Sequence, residues 1–245
     1  MQKYIIGNWK MSMTRPELGK FVAKFATIQR NPNVQFGIAA PFVYLDELVN
    51  TLYNYNVWIG AENVSEFVSG AYTGEISATN LTDSNIQFCL VGHSERRHIF
   101  GETNAQINQK ILRLLQNKIT PLLCIGETLQ QFEEHSTLDV LAQQIDSAFI
   151  DVPTSELSQI IIAYEPVWAI GTGKTPTILD IQETIGYIKG YIVQKYGISL
   201  PVLYGGSVNT KNSAEILAIP CVDGALIGGA SLDAVSFVDI ANSTK

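Results

Sequence analysis

Apolar positions along this chain come in short, nearly continuous runs. KYIIGN, VQFGIAA, VWIGAE, QFCLVG, ITPLLCIG, QIIIAYE, PVLYGG and DGALIGG recur from Lys3 to Gly229. Such β-branched runs suit strands buried on both faces, because a strand with one wet face would alternate. Between most of them the apolar spacing becomes helical. PELGKFVAKFATIQR follows the first run, with Pro16 suited to a first helical turn. NAQINQKILRLLQNK follows the fourth, TLDVLAQQIDSAFI the fifth, and DIQETIGYIKGYIVQKYG the sixth, with Gly197 as its C-cap. KNSAEILA and DAVSFVDIAN follow the last two. Strands alternating with helices imply parallel βα units, since parallel neighbours need a crossover. Eight units in 245 residues favour a closed (β/α)8 barrel over an open sheet. An open doubly wound sheet would usually carry a G-x-G-x-x-G turn after its first strand, and GNWKMS is not one. No linker or shift in composition divides the chain, so 1–245 reads as one domain.

Composition narrows the function classes. A net charge of −7 argues against nucleic acid or an acidic membrane as partner for the whole molecule, though not against a local anion site. Cys89, Cys124 and Cys221 have no short metal spacing and stand in apolar surroundings, which reads as buried, reduced thiols of an intracellular protein. The N-terminal MQKYIIGNWK has no long apolar core, and no run approaches a membrane span, so a cytoplasmic location is expected. EPVWAIGTGKT, at 165–175, ends like a phosphate-binding P-loop. Trp168 stands where that motif needs its first glycine, and a long insert separates the strand from Gly173. What remains is a carboxylate at a strand end, followed by a glycine-hinged segment.

In a barrel, chemistry gathers where strands end and βα loops begin. Asn8 and Lys10 stand there after the first strand, His93, Ser94 and Glu95 after the fourth, and Glu165 after the sixth. Gly205, Gly206 and Ser207 follow the seventh, and Gly228 and Gly229 end the eighth. Turn glycines are commonplace, but two Gly-Gly pairs in the last two loops suit a phosphate cradle of exposed backbone N–H groups. Lys10 is either a surface charge or a cation aimed at that cradle. Glu165 is either a salt-bridge partner or a general base whose pKa partial burial would raise. His93 is either structural or catalytic. A helical turn beginning at Ser94 would disfavour its imidazolium and leave a neutral donor. His98 and His135 lie in polar contexts, and nothing pairs them with His93 as metal ligands. A carboxylate base, a neutral donor, a lysine and a phosphate cradle together suit proton transfer beside a carbonyl in a phosphorylated substrate, with no metal or organic cofactor needed. An aldolase using Lys10 as a Schiff base, or an inactive binding protein on the same scaffold, are the competing readings.

GNWKM, GAENVSEFVSGAYTGEIS, VGHSERR with FGE, PLLCIGET, AYEPVWAIGTGK, LYGGSV and DGALIGGASL occur in this order along essentially the whole chain. In these motifs the sequence resembles the triosephosphate isomerase family. The resemblance implies a TIM barrel, a homodimer, and interconversion of dihydroxyacetone phosphate and glyceraldehyde 3-phosphate. It assigns Glu165 as base, His93 as neutral proton donor or shuttle, Lys10 as positive charge and Asn8 as a substrate-oxygen holder, with Glu95 orienting Lys10 beside Ser94. Backbone N–H groups of Gly171, Ser207, Gly228 and Gly229 would hold phosphate under a lid at about residues 166–176. The loop SGAYTGEIS would carry Tyr72 and Thr73 into the dimer interface, Thr73 beside Asn8 and Lys10 of the partner subunit. Glu62, Glu75 and Arg96 join that interface, with Glu75 pairing Arg96. Three features depart from the family pattern. Pro176 stands where alanine is common and has no N–H for Tyr204 to bond, so the closed lid would be held more by Ser207, or by a shifted Tyr204 partner. Glu62 replaces a frequent glutamine, and its burial would raise its pKa. Ile178 and Leu179 open the helix after the lid, where proline and acidic residues are common, although Thr177 and Asp180 still resemble a capping box.

Overall fold

A computed structural model describes residues 2–170 and 176–244. Eight parallel strands close on themselves: β1 Lys3–Asn8, β2 Val34–Ala40, β3 Val57–Ala61, β4 Phe88–Val91, β5 Thr120–Ile125, β6 Ile161–Tyr164, β7 Val202–Tyr204 and β8 Gly224–Ile227. Ile5 pairs with Phe36 on one side and Ala225 on the other, which closes the ring at β1. All eight expected runs are strands. Several stop a residue or two early, which leaves Glu62, Glu165, Gly205 and Gly228 just beyond the ladder, on the rim.

Eleven α-helices lie among the described residues: α1 Arg15–Phe25, α2 Leu45–Leu52, α3 Ala78–Asp83, α4 Ser94–His98, α5 Asn104–Gln116, α6 Leu129–Glu133, α7 Thr137–Ala148, α8 Thr154–Leu157, α9 Ile178–Tyr196, α10 Ser213–Leu217 and α11 Ala234–Asn242. In α5 the side chains of Thr103 and Gln106 cap each other's backbone, and Ile107, Ile111, Leu114 and Leu115 are buried on one face. Burying each such side chain is worth roughly 1.5–3 kcal/mol, far more than helix propensity supplies. Helix α9 starts on the Thr177–Asp180 capping box and ends at Gly197, whose φ of 70° suits the left-handed cap. Helix α1 stops at Phe25, not at Arg30 as its apolar spacing suggested, and Arg30 Nη1 turns back to donate to the Phe25 carbonyl at 2.8 Å.

Two apolar layers result. The larger joins strand exteriors to the helices. The smaller fills the barrel, with Ile6, Phe88, Leu90, Leu122, Leu203 and Leu226 among its members. Phe88 lies across the barrel interior. A Cβ at Gly60 would overlap its ring, and one at Gly37 would meet it at 3.2 Å, so β2 and β3 carry glycine there. Cys89 and Cys124 are buried free thiols, whereas Cys221 is only partly buried, against the expectation for all three. It lies beside the charged Lys189, Asp223 and Lys3.

Candidate active site

Asn8 ends β1 and is buried, and its Oδ1 accepts the Lys10 backbone N–H at 3.2 Å. Lys10 has φ of 54°, a left-handed conformation that costs a non-glycine residue about 1 kcal/mol or more. Trp9 between them is locked in the core, its Nε1 donating to the Ser231 carbonyl at 3.2 Å. That anchor turns Lys10 onto the rim, where Nζ meets Glu95 Oε1 at 2.6 Å.

His93 caps the N-terminus of α4. The Glu95 backbone N–H donates to its Nδ1 at 3.2 Å, so that nitrogen must offer a lone pair. Its Nε2 lies 3.1 Å from Glu165 Oε1. Burial disfavours the charged ring, but the Glu165 and Glu95 carboxylates together outweigh burial and draw the His93 pKa above its ordinary value. The backbone bond decides the state: a proton on Nδ1 would set donor against donor, so the ring is neutral with its proton on Nε2.

Glu165 follows β6 directly and is 2% exposed. Burial alone would raise its pKa, which was the expectation. Here the hydrogen bond from His93 Nε2–H, the Ser94 backbone N–H at 3.1 Å and the Lys10 charge oppose burial, and the pKa is lowered. The carboxylate is therefore ionised in this arrangement. Its stem needs space: a Cβ on Gly205 would come within 2.8 Å of Glu165 Cγ.

These groups face one cavity of about 340 Å³, lined also by Ser207, Gly228 and Gly229 from the ends of β7 and β8. Ser207 Oγ donates to the Ala169 carbonyl at 3.2 Å, linking the cradle to the start of the segment after Glu165. Asn8, Lys10, His93, Glu165, Ser207, Gly228 and Gly229 thus come together. Gly171 lies outside the described residues, as do the other residues at 172–175 of the expected lid.

The residues expected at a dimer interface divide. Glu62 and Arg96 line an adjoining hollow of about 260 Å³ with Lys10, His93 and Glu95. Burial pushes the Glu62 carboxyl up to about 8, and its Oε1 is buried with no hydrogen-bond partner. Tyr72, Thr73 and Glu75 lie on an exposed loop, where Tyr72 stacks on Phe67 at 3.9 Å. Within the chain Arg96 does not pair with Glu75. Its Nε donates to Glu102 at 2.6 Å, and Glu102 also holds the buried Lys110 at 2.8 Å.

Sequence reading missed Glu127. It stands two residues past β5, is wholly buried, and accepts from Trp168 Nε1 at 2.7 Å and Tyr164 Oη at 3.1 Å. Burial raises its pKa. The signal was present, since CIGE ends an apolar run as IAYE does.

An ionised carboxylate, a neutral imidazole, an ammonium and a glycine-lined cradle at the strand C-termini define a (β/α)8-barrel enzyme suited to acid–base chemistry on a small anionic substrate. The family model "Triosephosphate isomerase" matches residues 3–244, and the chain belongs to that family. It is 41% identical over 241 residues to the triosephosphate isomerase of Moorella thermoacetica, covering 97% of each chain. It is 40% identical over 247 residues to that of Alkaliphilus oremlandii, covering 99% of this chain and all of the relative. The Mycoplasmoides gallisepticum enzyme is 42% identical over 246 residues, covering 98% of this chain and 97% of its own.

Proposed function

We propose that the protein interconverts dihydroxyacetone phosphate and D-glyceraldehyde 3-phosphate through an enediolate. The observation that carries this reading is the pairing of Glu165 with His93 at 3.1 Å over a cavity that also holds Lys10 and the glycine cradle. Glu165 takes a proton from the carbon beside the carbonyl. The His93 Nε2 proton and the Lys10 charge stabilise the oxygen that gains electron density, with Asn8 holding the substrate oxygens. The proton returns to the neighbouring carbon. Hydrogen is only redistributed within the substrate, so the balance needs no external oxidant or reductant. Triosephosphate isomerase is itself an established example of this division of labour between a glutamate base and a neutral imidazole. Glu95 orients Lys10 and the Ser94 N–H holds Glu165 between turnovers. Backbone N–H groups of Gly171, Ser207, Gly228 and Gly229 bind the phosphate, and residues 166–176 close over it, excluding water from the labile intermediate.

The Lys10 ammonium, tied to Glu95 at 2.6 Å, suits charge stabilisation better than imine formation. Borohydride added with substrate should therefore leave the enzyme untrapped. A homodimer follows the same reading. Thr73 and Tyr72, on the exposed loop, reach the hollow around Lys10 and Glu62 of the partner subunit. A cytoplasmic location accords with the absence, among the described residues, of any helix long and apolar enough to cross a membrane. A coupled assay with glyceraldehyde 3-phosphate tests the reaction directly. Wild type should turn over, and Glu165→Asp, which withdraws the carboxylate by one methylene, should lose about 100-fold or more in kcat. An inactive wild type would overturn the assignment.

A further inference from the structure

Gly228 and Gly229 line the cavity side by side, and the peptide that joins them has no Cβ on either flank. Little steric resistance stops such a peptide from rotating, so either of its polar edges could face the cavity. One buried residue holds it. Ser231 is 0% exposed, and its backbone N–H and its Oγ both donate to the Gly228 carbonyl, at 2.8 and 2.7 Å. Ser231 is itself fixed on two sides. Its carbonyl accepts Trp9 Nε1 at 3.2 Å, and its side chain packs against Gly7 of β1. A Cβ on Gly7 would come within 2.9 Å of Ser231 Cβ and 3.0 Å of its Oγ, so glycine there leaves the hydroxyl its place. The peptide between Gly228 and Gly229 is trans and planar, and its carbonyl and N–H therefore point opposite ways. Ser231 is not among the residues that line the cavity. Drawing the carbonyl inward to Ser231 turns the Gly229 N–H outward, to the open side. Among the described residues that N–H has no protein acceptor.

We propose that Ser231 is a positioning residue for the substrate phosphate: its hydroxyl pins the Gly228 carbonyl and so aims the Gly229 N–H at the anion. This rests on the reaction proposed above and on the glycine cradle within it. Ser231 touches no substrate and acts through the one peptide. Without the hydroxyl, the Ser231 N–H alone holds the carbonyl. The peptide then spends part of its time with the carbonyl, a negative end, toward the phosphate. The cost falls on the phosphate end of the substrate, away from the carbons on which Glu165 and His93 act. Losing one hydrogen bond of this kind weakens phosphate binding about three- to tenfold.

The test uses wild type and Ser231→Ala, which removes a single oxygen, with inorganic phosphate as the probe. In isotopically labelled wild type the Gly229 amide proton should move downfield as phosphate is titrated, and reach a plateau. A Gly229 signal that stays in place overturns the proposal, whatever the variant does. In the coupled assay Ser231→Ala should raise both the KM for glyceraldehyde 3-phosphate and the inhibition constant of inorganic phosphate about three- to tenfold. D-glyceraldehyde, which lacks the phosphate, separates positioning from general support. Its proton exchange beside the carbonyl is followed by NMR in deuterium oxide. The ratio of kcat/KM for the phosphate ester to that for D-glyceraldehyde should fall about three- to tenfold in the variant. Equal losses on both substrates would make Ser231 a support of the whole site and overturn the proposal. An unchanged inhibition constant for phosphate would do the same. A wild type whose Gly229 signal answers phosphate but which leaves glyceraldehyde 3-phosphate unconverted overturns the reaction, and not the part Ser231 plays in holding the anion.

Discussion

Glu165 and Glu62 both stand one residue past the end of a barrel strand, both are removed from water, and both feel Lys10 and His93. They titrate in opposite directions. Glu165 accepts from a backbone N–H and faces an imidazole, and its pKa falls although burial opposes the charge. Glu62 has one buried oxygen with no partner, and its pKa climbs to about 8. Burial acts on both; at Glu62 it prevails, and at Glu165 the groups facing the carboxylate outweigh it. The balance turns on how many donors and positive groups face the carboxylate against that burial. At β6 the start of α4 supplies one, through Ser94. At β3 the Lys10 backbone N–H reaches Glu62 but does not offset its burial, and the other oxygen stays without a donor.

Removing the ionised member of the pair gives the largest expected effect. Glu165→Gln keeps the shape and removes the base, and kcat should fall about 10²–10⁴-fold in the coupled assay. A variant retaining a tenth of wild-type activity would make some other group the base. Next comes the neutral member. Folded Glu62 keeps its proton to about 8, whereas an unfolded glutamic acid releases it near 4.5, so wild type loses stability as pH rises between those values. Glu62→Gln is level across that window. Its advantage should grow from almost nothing at pH 4 to the order of 2–4 kcal/mol at pH 8. Thermal melts at both pH values check this, and a gap that stays constant with pH would mean that Glu62 is not held neutral by the fold.

The remaining two variants sharpen the contrast. Gly205→Ala places a methyl group 2.8 Å from Glu165 Cγ and 3.2 Å from the Tyr164 carbonyl. The displaced carboxylate should lose its seat on the Ser94 N–H, lowering kcat about 10–100-fold while leaving the Glu62 pH profile untouched. Should kcat hold, the seat at Ser94 has no bearing on turnover. Pro176→Ala lies apart from both carboxylates and frees one backbone torsion, a change worth about 0.4–1 kcal/mol. Relaxation dispersion should show lid-opening rates altered roughly two- to fivefold. Identical rates would remove Pro176 from the lid's trailing hinge.

The barrel was legible because its strands are buried on both faces, so each reads as an unbroken apolar run. Helices α5, α7 and α9 were legible for the matching reason, a periodic stripe long enough to count. Helices α2 and α3 were not. The first spans eight residues after a 3₁₀ turn, and the second buries only Ala78 and Leu81. Strand ends pointed to Asn8, Lys10, His93 and Glu165 because topology alone sends those positions to one rim. Side-chain pairing was less visible. The sequence offered Arg96 only Glu75, across the expected dimer interface, and the bond to Glu102 within the chain was not foreseen. The direction of the Glu165 pKa was misjudged for a related cause: apolar neighbours in sequence announce burial, while the Ser94 N–H that counters it arrives from 71 positions away.

The side chains of Leu226 and Leu90, which line the rim cavities above the Phe88 ring packed deeper in the barrel, set a boundary on chemistry as well as on packing. A molecule entering at the rim meets a solid floor and can go no deeper. Any longer sugar phosphate would have to spread sideways over the βα loops. Broadening what this scaffold accepts is therefore a matter of rebuilding loops, and hollowing out the middle would cost stability without opening a route for the reacting carbons.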